Sequence, residues 1–169
     1  MKISNDISDL IEKARTFKKQ NKFDEALRIL NEIYTSKPNS EEIKTILIET
    51  LFDYGGYLND YYTLEYEKAK EVFERIINLS PNNYRAHYNL GLAFFNLSKF
   101  QNAENSFKKA LSIKPDYKYC FYNLGLIYET KEKYKKALQY YEKALKIDPN
   151  FIYALTARSE MRKRLDEIK

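Results

Sequence analysis

The four prolines of this chain stand at nearly regular intervals. The spacings between them are 43, 34 and 34 residues, and four alanines repeat the same three spacings. These residues are Pro38, Pro81, Pro115 and Pro149, and Ala26, Ala69, Ala103 and Ala137. A period of 34 predicts a helical hairpin that buries its apolar face only by stacking on its neighbours. We therefore expect function on the surface of stacked helices rather than in a catalytic pocket.

Two segments, residues 84–117 and 118–151, share one pattern of residue types without a gap. Each has Leu-Gly, an aromatic residue, Ala, a second aromatic residue, Ala and Pro at matching positions. They are Leu90-Gly91, Phe94, Ala103, Phe107, Ala110 and Pro115 in the first segment, and Leu124-Gly125, Tyr128, Ala137, Tyr141, Ala144 and Pro149 in the second. The pattern resembles the tetratricopeptide repeat, with His87 and Phe121 where that family often has Trp.

The resemblance implies an all-α, right-handed α-solenoid of stacked helix–turn–helix repeats with a C-terminal capping helix. We expect one domain over residues 1–169, with repeats at about 7–40, 41–83, 84–117 and 118–151 and the capping helix at 152–168. The apolar residues of that last helix share one face. They are Ala154, Ala157, Met161, Leu165 and Ile168. The other face is polar, as the end of a solenoid requires.

Local signals predict how the hairpins are built. Gly91 and Gly125 each cost about 1 kcal/mol relative to Ala inside a helix. We therefore expect a neighbouring helix to approach closely at each glycine. Each proline ends a second helix, and Ser98 with Gln101 has capping-box spacing before another. The predicted helix caps are the polar residues that follow the prolines, Asn39, Asn82, Asp116 and Asn150.

The second repeat is nine residues longer than the others, and the excess falls near residues 52–62. Its Gly55-Gly56 pair predicts a turn. The flanking tyrosines fit either a longer hairpin or a rim that touches a partner. Both interpretations remain at this point.

Composition predicts an ordinary globular protein, with 44% hydrophobic and 31% charged residues. No apolar run has the length of a signal peptide or a membrane span. The single cysteine, Cys120, excludes an internal disulfide. Together these features predict a cytoplasmic location.

The charge is uneven along the chain. Residues 1–83 carry a net charge of −3 and residues 84–169 a net charge of +8. The alternative function that this suggests is binding of RNA or another polyanion, through Arg85 and the Arg162-Lys163-Arg164 cluster. We do not expect nucleic acid as a partner, because most lysines of residues 84–169 fall on second helices, where charge usually forms a solvated face.

Residues for an enzyme site are few. His87 is the only histidine, and no group of Cys and His has metal-ligand spacing. A catalytic pair of Cys120 and His87 would need access and an orienting partner. No glycine-rich phosphate loop is present either. We therefore predict no catalytic activity, no metal and no cofactor.

The resemblance implies that the first helices line a concave groove that holds a peptide or protein segment. Mapped onto this chain, the groove residues are Arg85, Tyr88, Asn89, Leu92, Phe95, Asn96, Tyr119, Tyr122, Asn123 and Leu126. Asn89 and Asn123 lie one repeat apart, and we expect them to hydrogen-bond successive peptide groups of an extended ligand. The rings supply apolar anchors. The chain is thus predicted to be a non-enzymatic adaptor or scaffold for an unidentified protein or peptide.

The residue types on successive first helices argue against one kind of partner. Co-chaperones of the family hold the C-terminal carboxylate of a chaperone through Lys, Asn and Arg on three successive first helices. With Asn123 at the centre of such a clamp, the flanking positions hold Tyr88, Leu92, Tyr153 and Ala157; with Asn89 there, they hold Thr45, Glu49, Tyr119 and Asn123. We therefore do not expect a chaperone carboxylate as partner. A membrane is not expected either, because the chain has no apolar run of membrane length. The expected state is a monomer or a weak homodimer formed through an end face of the stack.

Overall fold

The computed structural model describes residues 2–60 and 62–167, with side chains from residue 7 onward. In these ranges the chain forms nine α-helices and no β-strand. The helices are α1 (Lys2–Lys19), α2 (Phe23–Ser36), α3 (Glu41–Leu58), α4 (Tyr66–Leu79), α5 (Tyr84–Asn96), α6 (Phe100–Ile113), α7 (Lys118–Thr130), α8 (Tyr134–Ile147) and α9 (Ile152–Glu167). The predicted class, an all-α helical-repeat solenoid, is confirmed. Tyr61 of the insertion and Ile168 of the capping helix lie outside the described residues.

The helices belong to two compact units. Unit 1 is Met1–Pro81 with α1–α4, and unit 2 is Asn82–Lys169 with α5–α9. Within each unit, consecutive helices pack against one another. The single-domain organisation over the whole chain stays a prediction. No helix in the described ranges combines the length and the apolar character needed to span a membrane.

The second helix of each hairpin has the same length and the same buried face. α2, α4, α6 and α8 are each 14 residues long and each begins with an aromatic residue. The alanine at the fourth position and the large residue at the eighth are at most 1% exposed in all four. The alanines are Ala26, Ala69, Ala103 and Ala137, and the large residues are Leu30, Phe73, Phe107 and Tyr141. Because positions i and i+4 share one helix face, each pair presents one apolar ridge to the first helix of its hairpin.

Glycines on the first helices accommodate these large side chains. α5 and α7 are both 13 residues long, with Leu-Gly at the seventh and eighth positions. A Cβ atom on Gly91 would lie 2.5 Å from Cε1 of Phe107, and one on Gly125 would lie 2.3 Å from Cε1 of Tyr141. Real Cβ atoms do not approach a ring this closely, so only glycine fits. The predicted packing role of the two glycines is confirmed.

The predicted turn at Gly55-Gly56 is wrong, because both glycines lie inside α3. The physical reason is packing: a Cβ atom on Gly55 would lie 2.7 Å from Cζ of Phe73, so Gly55 has the same role as the packing glycines of unit 2. Gly56 has no heavy atom within 4 Å of its Cβ position. The insertion lengthens α3 to 18 residues, while α4 keeps the 14 residues of the other second helices.

The tyrosines of the insertion divide into packed and exposed ones. Tyr54 and Tyr57 pack on Phe23 of α2, with ring centroids 5.1 Å and 5.5 Å apart. Tyr62, in the loop between α3 and α4, is 91% exposed. The added length therefore places two of the predicted rim residues against the neighbouring hairpin of unit 1.

The turn inside each hairpin contains one residue in the left-handed backbone region. These residues have φ between 54° and 58°, and each stands two positions before a second helix. They are Asn21, Leu64, Ser98 and Glu132. The capping-box prediction for Ser98 is wrong, because Ser98 belongs to this turn and the N-cap of α6 is Lys99, whose side chain makes no cap hydrogen bond.

The first helices are capped one residue later than predicted. Ser40 accepts the N–H of Ile43 at 3.4 Å, and Asn83 accepts the N–H of Ala86 at 3.1 Å. Both caps have extended backbone, which lets the side chain reach the first turn. α7 and α9 likewise begin two residues after the predicted caps. The predictions at Asn39, Asn82, Asp116 and Asn150 are therefore wrong.

Replacing Leu64 by Asn is expected to raise the free energy of unfolding by about 0.5–1 kcal/mol. Leu is strained at φ 54°, whereas Asn tolerates the left-handed region, and the Leu64 side chain is 56% exposed, so little packing is lost. Urea unfolding would measure the change. As a control, Tyr62→Asn in the same loop is expected to stay within about 0.5 kcal/mol of the unchanged protein. A Leu64→Asn variant that is no more stable would contradict strain in this turn.

α9 stands in the register of a first helix, but one of its faces is charged. Arg158 and Ser159 occupy the positions of Leu124 and Gly125 in α7, 34 residues earlier. Met161, three residues after Arg158, is fully buried. A further hairpin would find charge where its core should be, as is typical of the end of a solenoid, and the capping role of this helix stays a prediction.

Candidate functional site

Seven aromatic rings near the start of the first helices of unit 2 contact one another in series. We name them the tyrosine ladder: Tyr84, Tyr88, Tyr117, Tyr119, Tyr122, Phe151 and Tyr153. Neighbouring ring centroids lie 5.1–6.4 Å apart, and most pairs meet edge to face. Such pairs are each worth about 0.5–1.5 kcal/mol beyond the area they bury, so the ladder is held in a defined arrangement.

The 34-residue period explains why the rings meet. α5, α7 and α9 begin at residues 84, 118 and 152, so a ring at one position recurs on the next first helix. Tyr119 and Tyr153 are such a pair. Tyr88 meets Tyr119 at 6.4 Å, which joins α5 to α7, and Tyr122 meets Tyr153 at 6.0 Å, which joins α7 to α9.

The ladder has a buried base and an exposed edge. Tyr153 is 64% and Tyr119 39% exposed, whereas Tyr88 and Tyr122 are half-buried. Burial raises the pKa of Tyr88 and raises the pKa of Tyr117 to about 12. Both hydroxyls therefore stay protonated and uncharged at neutral pH.

Two lysines lie on the faces of ladder rings. Nζ of Lys114 is 4.9 Å from the ring centroid of Tyr84, and Nζ of Lys118 is 4.9 Å from that of Phe151. Lys118 also forms an ion pair with Asp148 at 2.5 Å, whereas the ammonium of Lys114 lies over the ring of Tyr117 as well, at 5.7 Å. The ladder is thus bordered by positive charge.

The two predicted asparagines differ in their surroundings. Nδ2 of Asn89 donates to the carbonyl of Arg85 at 2.9 Å, and Nδ2 of Asn123 donates to the carbonyl of Tyr119 at 2.8 Å, so each amide is anchored on its own helix. Asn123 is only 7% exposed, and its Nδ2 also lies 3.3 Å from the hydroxyl of Tyr88. Asn89 is the more accessible of the two.

The remaining predicted groove residues all lie on α5 or α7, but their exposure varies. Arg85 and Asn96, in the first and last turns of α5, are exposed. Leu92 and Phe95 pack against the core between α6 and α7, and Leu126 packs against the core between α7 and α8. These three apolar residues therefore contribute to the fold as well as to the first-helix surface.

Sequence reasoning missed three ladder rings, Tyr84, Tyr117 and Phe151. Tyr117 and Phe151 each stand two residues after a proline and 34 residues apart, so the period itself was the signal that would have found them. Tyr84 is the first residue of α5, and its ring meets Tyr117 edge to face at 5.1 Å.

The family model for the tetratricopeptide repeat matches residues 84–117 and 119–151, and a second model with the same description matches residues 65–83. These matches comprise 86 of the 169 residues. The chain belongs to the tetratricopeptide repeat family. No curated protein sequence matches it.

Solved structures of tetratricopeptide repeat proteins share this fold. A chain of MamA from Desulfovibrio magneticus RS-1, residue 41 to its end, is 24% identical with a TM-score of 0.71, and the match covers 95% of this chain and 85% of that one. The OM64 domain of Arabidopsis is 26% identical with a TM-score of 0.64, covering 71% and 98%. The second domain of human RPAP3, in complex with the HSP70 peptide SGPTIEEVD, is 23% identical with a TM-score of 0.63, covering 70% and 98%.

In this tetratricopeptide repeat chain the only histidine and the only cysteine lie on neighbouring first helices, α5 and α7. Cys120 is fully buried, and burial raises the pKa of its thiol to about 12. A thiol with this pKa is protonated at neutral pH and is a poor nucleophile. Among the side chains that the structure describes, no three His, Cys, Asp or Glu residues are grouped so as to hold a metal ion.

Proposed function

We propose that this chain is a non-enzymatic adaptor that binds an extended segment of a partner protein across the first helices of unit 2. The observation that carries the proposal is the tyrosine ladder, in which two accessible rings, Tyr119 and Tyr153, rest on a base of packed rings. Pre-arranged aromatic side chains lose little conformational entropy on binding and are the commonest interface anchors.

The amides supply a second part of the proposed site. The hydrogen bond from Nδ2 of Asn89 to its own helix fixes the plane of that amide, and we propose that its Oδ1 accepts a backbone N–H of the ligand. Asn123 is given a different role from the one expected from the sequence. Its nitrogen donates to the backbone carbonyl of Tyr119 and to the hydroxyl of Tyr88, so we propose that it positions the Tyr88 ring from a buried site.

Other members of the fold support a peptide as ligand, since the RPAP3 domain is in complex with a peptide that ends in EEVD. Carboxylate capture is not proposed for this chain. The positions flanking Asn123 hold two ladder rings, Tyr88 and Tyr153, where co-chaperones have cationic or amide side chains. We propose an internal segment with apolar side chains instead, because rings rather than paired cations form the surface.

The test is selection of displayed random peptides on the unchanged protein, followed by affinity measurements with the enriched peptides. The double variant Tyr119→Ala/Tyr153→Ala is expected to bind at least about tenfold more weakly, because each ring is an anchor worth about 1–2 kcal/mol. The two substitutions also remove five ring pairs of the ladder, so some stability is lost, and the affinities are compared at a temperature at which melting curves show both proteins folded.

Tyr62→Ala is the matched control, because it removes an equally large and still more exposed ring from unit 1. Asn89→Ala should weaken binding without changing stability. Enriched peptides that bind the ladder double variant as tightly as the unchanged protein would exclude the ladder as the site.

A further inference from the structure

A second cluster of side chains in unit 2 gathers lysines around a buried carboxylate. Glu104 on α6 is 5% exposed, and Tyr128 of α7 donates its hydroxyl hydrogen to Oε1 of Glu104 at 2.7 Å. Nζ of Lys108 lies 2.7 Å from the same oxygen, and Nζ of Lys131 lies 3.8 Å from Oε2. One carboxylate thus holds two ammonium groups in defined places.

The ring of Tyr128 orders further lysines. Tyr128 stacks on Tyr140 of α8 at 5.3 Å with planes 8° apart. Nζ of Lys136 lies 4.1 Å from the Tyr128 centroid, and Nζ of Lys143 lies 5.0 Å from the Tyr140 centroid. We name the four cations the lysine patch: Lys108, Lys131, Lys136 and Lys143. Two of the four, Lys108 and Lys131, lie within ion-pair distance of Glu104.

The positive surface continues beyond the patch. Lys136 also borders a depression of about 350 Å³ at the turn between α7 and α8, which Lys133, Lys135 and one carboxylate, Glu132, line as well. Residues 84–169 as a whole carry a net charge of +8. Charge concentrated in this way attracts polyanions from a distance.

We propose that the lysine patch binds the phosphate backbone of double-helical nucleic acid without reading its sequence. This departs from the expectation from the sequence, because contacts with Glu104, Tyr128 and Tyr140 order these lysines instead of leaving them as a solvated face. Lysine ammonium groups suit phosphates as point charges, whereas planar carboxylate recognition favours arginine, which the patch lacks. Single strands are disfavoured because they need a free ring face for base stacking. Tyr128 is 5% exposed and lies between Lys136 and Tyr140.

Two other polyanionic partners fit less well. A membrane surface attracts lysines through anionic lipids, but it holds a protein more firmly where apolar side chains insert between the lipids. Of the large apolar residues that the described ranges leave exposed, only Ile147 shares a helix with a patch lysine, four residues after Lys143 on α8. The others are Tyr57, Tyr62, Leu64, Tyr119, Ile152 and Tyr153. An acidic protein segment gains affinity mainly from such anchors as well, since exposed ion pairs are each worth little.

The test measures binding of labelled DNA and RNA duplexes of about 20 base pairs while the salt concentration is raised from about 50 to about 200 mM. The patch variant is Lys131→Gln/Lys136→Gln/Lys143→Gln. The control variant, Lys109→Gln/Lys146→Gln/Lys163→Gln, removes the same charge from exposed lysines elsewhere in unit 2. A third variant with Arg at the three patch positions keeps the charge.

The patch variant is expected to bind at least about tenfold more weakly at low salt, with a logarithmic salt slope lower by about 2.7. The control and Arg variants should bind nearly as the unchanged protein does, and melting curves should show that all are folded. Peptide binding at the tyrosine ladder should be unaffected by the patch variant.

Three results would overturn the proposal. The first is no duplex binding by the unchanged protein at low salt. The second is an equal loss in the patch and control variants, which would indicate net charge alone. The third is tighter binding to phosphatidylserine vesicles or to polyglutamate than to duplex at the same salt, which would assign the patch to a membrane or to an acidic protein.

Discussion

Replacing Gly125 by Ala is expected to lower the free energy of unfolding by about 2–3 kcal/mol, although Ala is the better helix former by about 1 kcal/mol. The added Cβ atom would lie 2.3, 2.6 and 2.9 Å from three atoms of the Tyr141 ring. That ring cannot move aside easily, because Tyr141 is fully buried and its hydroxyl is bonded to Glu129. Urea unfolding followed by circular dichroism measures the loss.

Two further variants separate overpacking from helix propensity. Gly56→Ala, also in a first helix but with open space around the Cβ position, is expected to raise the unfolding free energy by about 0.5–1 kcal/mol. Tyr141→Leu should partly rescue Gly125→Ala, because unit 1 has Ala14 and Leu30 at the same 16-residue separation, both 1% exposed. Additive losses in the double variant would contradict direct contact between the two side chains.

Replacing Glu104 by Ala is expected to cost about 2–3 kcal/mol of unfolding free energy, because it leaves the Tyr128 hydroxyl and two lysines without their shared acceptor. Glu104→Gln keeps an acceptor for Tyr128 and should lose less. Glu142→Gln is the matched control: its ion pair with Arg162 at 3.2 Å is partly exposed, so its loss should cost no more than about 0.5 kcal/mol.

The same carboxylate predicts a pH dependence. Burial by itself raises the pKa of Glu104, but the hydrogen bonds from Lys108 and Tyr128 and the charges of Lys108 and Lys131 outweigh it and hold the pKa below the ordinary value of 4.5. A carboxyl whose pKa is lower in the folded than in the unfolded chain stabilises the fold fully above the ordinary value. That contribution is lost as the pH falls through the folded pKa.

Comparison with Glu104→Gln isolates this contribution. The stability difference between the unchanged protein and the variant should shrink as the pH falls from about 5 to about 2. A difference that stays constant over this range, measured by urea unfolding, would show that Glu104 has an unshifted pKa in the folded state.

Much of the fold followed from the sequence because its signals are local or strictly periodic. The Leu-Gly pairs at residues 90–91 and 124–125 identified the points of closest helix approach, and the distances to Phe107 and Tyr141 confirmed them. The same reasoning failed at Gly55. Its neighbour Gly56 made the pair resemble a turn, and only the position of Phe73 reveals that the helix continues through it.

The candidate site was less predictable. Tyr88, Tyr119 and Tyr122 were identified from the repeat register, but Tyr117 and Phe151 lie just before helices and were overlooked. For Asn123, residue type alone suggested a free amide. The hydrogen bond from Asn123 to the Tyr88 hydroxyl, 35 residues away, depends on how two first helices lie side by side.

The sequence by itself determined the hairpin period, the helix class and the buried face of each second helix, because those depend on spacings within one repeat. Only the tertiary structure decided which side chains from different repeats meet. Glu104 gains Tyr128 from 24 residues away, and Tyr119 of α7 gains Phe151 from the turn between α8 and α9. Such contacts depend on the rotation of one helix against another by a few degrees, a quantity that results from the packing of the whole core and that no local pattern encodes.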